Sequence, residues 1–137
     1  MIKKAREMMH GHTFVEGDMR ISDVAKLMSV KRIGSVLIQT DSGIGILTER
    51  DITSKIVAGA KDPENVKAEE IMTFPIQSVG PDTDLYEICR IFNENTFRRL
   101  PVVEDGKVIG ILTTRDVVKQ FLPQFFKEIY HFKDFRF

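Results

Sequence analysis

The seven residues from Gly45 to Asp51 read GILTERD, and the chain repeats the phrase as GILTTRD from Gly110 to Asp116. An internal repeat constrains a fold more than any local pattern, because both copies must form the same supersecondary unit. The match extends backwards. Residues 33–38 align with 97–102 at an offset of 64, and Val24, Leu27 and Met28 align with Ile88, Ile91 and Phe92 at the same offset. Residues 14–18 meet 78–82, and Lys4 to Met9 (KAREMM) resembles Lys67 to Met72 (KAEEIM) at an offset of 63. The offset changes by one residue twice, each time in an expected loop, where insertions are tolerated.

Hydrophobic periodicity gives each copy the order β-α-β-β-α. In the second copy we expect a strand over 76–79 and a helix from Asp82 or Thr83, as cap, to about Asn95. A strand over 100–103, a tight hairpin at Asp105-Gly106, a strand over 108–112 and a helix over 115–122 complete it. The first copy predicts a strand near 13–15, a helix over 21–30, strands over 35–39 and 44–47, and a helix over 49–58. The polar stretch GAKDPENV at 59–66 reads as a linker. The expected partition is therefore 1–60, 61–122 and a tail, 123–137. A copy of roughly sixty residues is small for an independent core. Two α+β copies packed through their sheets with pseudo-twofold symmetry are expected, with small-molecule clefts between them.

Composition removes several function classes. Twenty basic and twenty acidic side chains cancel, which disfavours generic nucleic-acid binding. Cys89 is the single cysteine, so no intramolecular disulfide forms, and a reducing, cytoplasmic location is expected. The opening MIKKAREMMHGH lacks the apolar stretch of a signal peptide, and no apolar run approaches the ~20 residues of a membrane span. Neither a metal carboxylate cluster nor a nucleophile–base pair is evident, so the chain is not expected to be an enzyme or to require a cofactor.

The repeated phrase has two readings. Thr-x-x-Asp before an apolar helix is the form of an N-terminal capping box. Thr48 or Thr113 would accept a backbone N–H while Asp51 or Asp116 reached back, stabilising the helix start by about 1 kcal/mol without any ligand. Gly45 and Gly110 would then allow close backbone packing. The second reading notes that Arg50 and Arg115 stand in the first helical turn, where a cation does not help the helix but suits an arriving anion. Carboxylate, hydroxyl and guanidinium together match the diol and anionic group of a nucleotide.

GILTERD and GILTTRD resemble the Gly-h-x-Thr/Ser-x-x-Asp motif of CBS domains. Leu100 to Gly106 (LPVVEDG) resembles that family's middle strand and turn, and Lys67 to Met72 its lead-in. The resemblance covers about residues 4–122 in two copies, the form of a stand-alone tandem pair, or Bateman module. It implies a regulatory module that binds an adenosyl compound (AMP, ADP, ATP or S-adenosylmethionine), forms a homodimer and acts on a separate enzyme or transporter. It places ribose contacts on Asp51 and Asp116, ribose or phosphate contacts on Thr48 and Thr113, and phosphate contacts on Arg98 and Arg99. Adenine contacts fall on Ile76 and Pro101 in the second half, and on Val15 and Leu37 in the first. The first half has Gly34-Ser35 in place of Arg98-Arg99 and Glu49 in place of Thr114, so the site around Thr113, Arg115 and Asp116 is expected to bind more tightly. A purely structural pairing module is the alternative.

Other features are weaker. His10 and His12 lack an evident third metal ligand. Cys89 reads as a packing residue rather than a nucleophile, and Gly43-Ile44-Gly45 lacks the third glycine of a dinucleotide fingerprint. The tail carries Phe121, Phe125, Phe126, Tyr130, Phe132, Phe135 and Phe137, with Pro123 suited to start a helix. So large an aromatic load is expected to cover its own domain, a second copy or a separate protein.

Overall fold

A computed structural model describes residues 2–130; the expected tail positions Phe132, Phe135 and Phe137 lie outside the described residues. The elements run α1 (Ala5–Met8), β1 (Phe14–Glu16), α2 (Ile21–Lys31), β2 (Ser35–Thr40), β3 (Gly43–Thr48) and α3 (Glu49–Asp51). α3 continues as a π-helical segment, Ile52–Val57. Then come α4 (Ala68–Ile71), α5 (Leu85–Glu94), β4 (Arg99–Glu104), β5 (Lys107–Thr113), α6 (Thr114–Val118) and α7 (Leu122–Tyr130). This is the expected mixture of helices and strands, in two copies.

The chain divides into two compact units, and they are not the two sequence copies. One unit, here unit 1, joins the residues up to Gly11 to those from Gln77 onward; unit 2 is His12–Ile76. The compact units cut across the sequence copies: each lead-in helix belongs to the unit built from the other copy. The packing gives the reason. Ala5 and Met8 of α1 lie in one core with Val79, Ile88, Leu100, Val102 and Leu112. Ala68 and Ile71 of α4 lie in the other with Val15, Ile21, Val24, Ile38 and Leu47. Backbone bonds hold them there. Ala5 N–H donates to the Thr83 carbonyl at 2.8 Å, and Ala68 N–H to the Met19 carbonyl at 2.8 Å. Each lead-in helix is short and starts on its own glutamate: Glu7 accepts the Lys4 N–H and Glu70 the Lys67 N–H.

In unit 2, β1 pairs in parallel with β2, and β2 antiparallel with β3. Unit 1 keeps only the antiparallel pair β4–β5. The strand expected over 76–79 shrinks to a single bridge, Val79 to Val102. A proline explains it. In unit 2, Leu37 N–H donates to the Thr13 carbonyl at 2.8 Å to extend the ladder. The position matching Leu37 is Pro101, which has no N–H to give.

Local chemistry sets the remaining boundaries. Asp105 and Gly106 both have positive φ, 52° and 76°, as the expected two-residue hairpin requires. α5 is capped by Asp84, whose Oδ1 accepts the Glu87 N–H at 2.9 Å, rather than by Asp82 or Thr83. The helix expected over 115–122 ends at Val118, and a separate α7 begins at Leu122 with Pro123 in its first turn, where a missing N–H costs nothing. No helix among the described residues is long and apolar enough to cross a membrane.

Candidate functional site

Both copies of the repeated phrase place their side chains at the junction of a strand and a helix. In unit 2, Thr48 ends β3 and caps α3: its Oγ1 accepts the Asp51 N–H at 3.3 Å. Asp51 Oδ2 accepts the Thr48 N–H at 2.9 Å and its hydroxyl at 3.2 Å. In unit 1, Asp116 N–H donates to Thr113 Oγ1 at 3.2 Å, and Asp116 Oδ2 accepts the Thr113 N–H at 2.8 Å and hydroxyl at 3.0 Å. The capping reading therefore holds in both copies. The packing role of the glycines holds as well. A Cβ on Gly45 would stand 3.1 Å from the Thr73 carbonyl, and one on Gly110 3.1 Å from the His10 carbonyl. The cause is the lead-in chain, which pairs Thr73 with Ile46 and His10 with Ile111.

The two carboxylates then diverge. Asp51 Oδ1 pairs with Lys55 Nζ at 3.1 Å, and the same ammonium donates to the Ile71 carbonyl at 2.7 Å. Both oxygens of Asp51 are thus engaged by the protein, and its side chain is 12% exposed. Asp116, 14% exposed, receives His10 Nδ1 at 2.9 Å on the oxygen already used for capping. Its Oδ1 has no partner among the described residues. Sequence reasoning missed both His10 and Lys55 as neighbours of the motif. The aligned lead-ins carried a signal for His10, since it follows KAREMM directly. It points to Asp116 only once that lead-in is known to pack on the second copy.

Backbone pairing places three arginines near one junction. Thr114 N–H donates to the Arg98 carbonyl at 3.0 Å, and Arg99 pairs with Thr113 across β4–β5. The backbones of Arg98, Arg99 and Arg115 are thereby anchored around the start of α6. None of the three side chains makes an ion pair among the described residues, and neither does Arg50; Arg6, Arg20 and Arg90 each do. The four apolar candidates behave differently. Val15, Leu37 and Pro101 are buried, Val15 within the core of unit 2. Ile76 is half-buried and closes unit 2, whereas Pro101 lies in unit 1, so the expected pair does not share one compact unit. Among the described residues no group of three or more His, Cys, Asp or Glu is placed to hold a metal ion.

A duplicated strand–turn–helix unit with a Gly-x-x-Thr-x-x-Asp junction is the mark of one family. The profile of the CBS domain matches residues 2–58 and 68–123. The chain belongs to the CBS-domain family, as a tandem pair. An uncharacterised protein of Methanopyrus kandleri is 40% identical over 71% of this chain, which spans 51% of that relative's length. A hexameric CBS-CP12 protein from bloom-forming cyanobacteria superposes with a TM-score of 0.83 at 28% identity, over 89% of this chain and 71% of that one. A crystal structure of hypoxic response protein I with two coordinated zinc ions is 30% identical with a TM-score of 0.73, covering 85% of this chain and 98% of that one.

Proposed function

We propose that this chain is a regulatory, non-catalytic module that senses an adenosyl compound of the AMP, ADP, ATP or S-adenosylmethionine class. One observation carries the reading. In unit 1 a carboxylate oxygen, Asp116 Oδ1, is left over beside three arginines, Arg98, Arg99 and Arg115, that have no ion pair among the described residues. A free carboxylate oxygen suits a ribose hydroxyl, and guanidinium groups suit phosphate or carboxylate. Thr113 stands at the same junction. In unit 2, Lys55 competes for Asp51 and Glu49 replaces Thr114, so Thr48, Arg50 and Asp51 form the weaker site. Of the apolar candidates, Ile76 retains exposed surface for an adenine ring, whereas Val15, Leu37 and Pro101 are buried.

On this reading the module works as a homodimer in the cytoplasm and passes ligand occupancy to a separate enzyme or transporter. Occupancy shifts an equilibrium only if the ligand binds one state more tightly than the other. A thermal-shift screen with AMP, ADP, ATP, NAD and S-adenosylmethionine tests it. A ligand at a hundred times its Kd adds about 2.7 kcal/mol of stability. A second reading, a purely structural pairing module, is favoured by the fact that both capping boxes are complete without ligand. No stabilisation by any of these compounds at millimolar concentration would select it.

A further inference from the structure

The internal repeat gives each residue beside the motif aspartates a counterpart in the other copy. Asp51 is matched by Asp116, and at the same offset Lys55 is matched by Gln120. Each stands one helical turn beyond its aspartate, yet the two side chains do different things. Lys55 Nζ lies 3.1 Å from Asp51 Oδ1 and donates to the Ile71 carbonyl at 2.7 Å. Gln120 Nε2 donates instead to the Asp116 backbone carbonyl at 3.1 Å, and Asp116 Oδ1 keeps no partner among the described residues. The backbone after each phrase differs as well. In unit 2 it widens into the π-helical segment, with Ala58 N–H on the Thr53 carbonyl. In unit 1 it tightens, with Gln120 N–H on the Val117 carbonyl.

These contacts decide what an arriving ligand meets. The cap takes Oδ2 of each aspartate, so Oδ1 is the atom left for a ligand hydroxyl. In unit 2 an ammonium already sits on that atom. An exposed ion pair alone is weak, but this ammonium is also fixed by the Ile71 carbonyl. A ligand loses translational freedom on binding, whereas a lysine of the same chain does not. The ligand hydroxyl is also a neutral donor, and a charged donor binds a carboxylate more strongly. Resting on the adenosyl reading above, we infer that Lys55 is an internal occupant of the Asp51 carboxylate that closes the unit 2 site. The chain then takes its adenosyl ligand in unit 1 alone, and the residue at the Lys55 and Gln120 position sets which copy binds.

Calorimetric titration of the full chain with AMP, ATP and S-adenosylmethionine, each separately, tests this. The melting temperature of every variant checks folding. The wild type is expected to bind one ligand per chain. Lys55→Gln, which gives the first copy the residue of the second, is expected to bind two. Adding Asp51→Ala to Lys55→Gln is expected to weaken the new site about ten- to a hundredfold, the scale of one hydrogen bond to a charged group. Gln120→Lys is expected to weaken the unit 1 site at least about tenfold by bringing an ammonium to Asp116. One ligand per Lys55→Gln chain, with the wild type binding as expected, would overturn this inference and leave the adenosyl reading standing. Weaker binding by Lys55→Gln would make the lysine a ligand contact and overturn it too, as would two ligands on the wild type or unchanged affinity in Gln120→Lys. No binding of any of the three compounds by any of these chains would overturn both.

Discussion

His10 Nδ1 lies 2.9 Å from Asp116 Oδ2, joining residues more than a hundred positions apart in the sequence. The contact exists because the first lead-in packs on the second copy, along β5. The histidine side chain is 51% exposed, so the pair is a surface interaction, worth up to about 1 kcal/mol. Asp116 also completes the cap of α6, so it matters more to the fold than His10 does. In a double-mutant cycle read by urea unfolding, His10→Ala should cost less than about 1 kcal/mol. Asp116→Ala should cost about 1 kcal/mol or more. A larger loss for His10 than for Asp116 would mean that the histidine, not the cap, holds this junction.

The exchanged lead-ins give a sharper test. Gly110→Ala would drive a Cβ against Met9 and the His10 carbonyl, and Gly45→Ala would do so against Met72 and the Thr73 carbonyl. Overpacking of this kind costs about 1–3 kcal/mol. Hydrogen exchange should therefore quicken around residues 5–10 in Gly110→Ala and around 68–73 in Gly45→Ala. The reverse assignment would refute the exchange.

The two capping threonines should behave as a matched pair. Thr48→Ala and Thr113→Ala each remove the acceptor for one aspartate N–H, a loss of about 1 kcal/mol. Calorimetric unfolding of the two variants checks this; no effect from either would remove the capping boxes from the account of stability.

Cys89 offers a chemical test of packing. It lies beside the core of unit 1, and burial pushes its thiol above the ordinary cysteine value. The thiolate is the reactive form, so iodoacetamide at neutral pH should label native Cys89 much more slowly than the urea-unfolded chain. Equal rates would contradict its place against the core.

Much of this fold was legible because local rules agree with one another. Asp105-Gly106 demanded a hairpin, Thr-x-x-Asp a cap, and Pro123 a new helix. What stayed hidden depended on partners distant in sequence. KAREMM and KAEEIM are nearly the same phrase, so nothing local says which copy each one packs against. Pro101 reads as part of a strand, and its missing N–H matters only when the neighbouring strand is known. His10 reaches Asp116 from a distant lead-in, whereas Lys55 stands one turn beyond Asp51 in the same continuous helix, an i,i+4 pair that the local pattern did carry. The candidate site was accordingly legible as a list of residues, while the asymmetry between Asp51 and Asp116 was legible only in part, through Arg98, Arg99 and Glu49.

Titration calorimetry of the wild type, Asp116→Ala and Asp51→Ala with whichever adenosyl compound stabilises the chain most tests the central claim directly. A hydrogen bond to a charged group is worth about 1.5–3 kcal/mol, so Asp116→Ala should weaken binding about ten- to a hundredfold. Asp51→Ala should weaken it less, because Lys55 already occupies that carboxylate. Affinity unchanged by Asp116→Ala would contradict the proposed site.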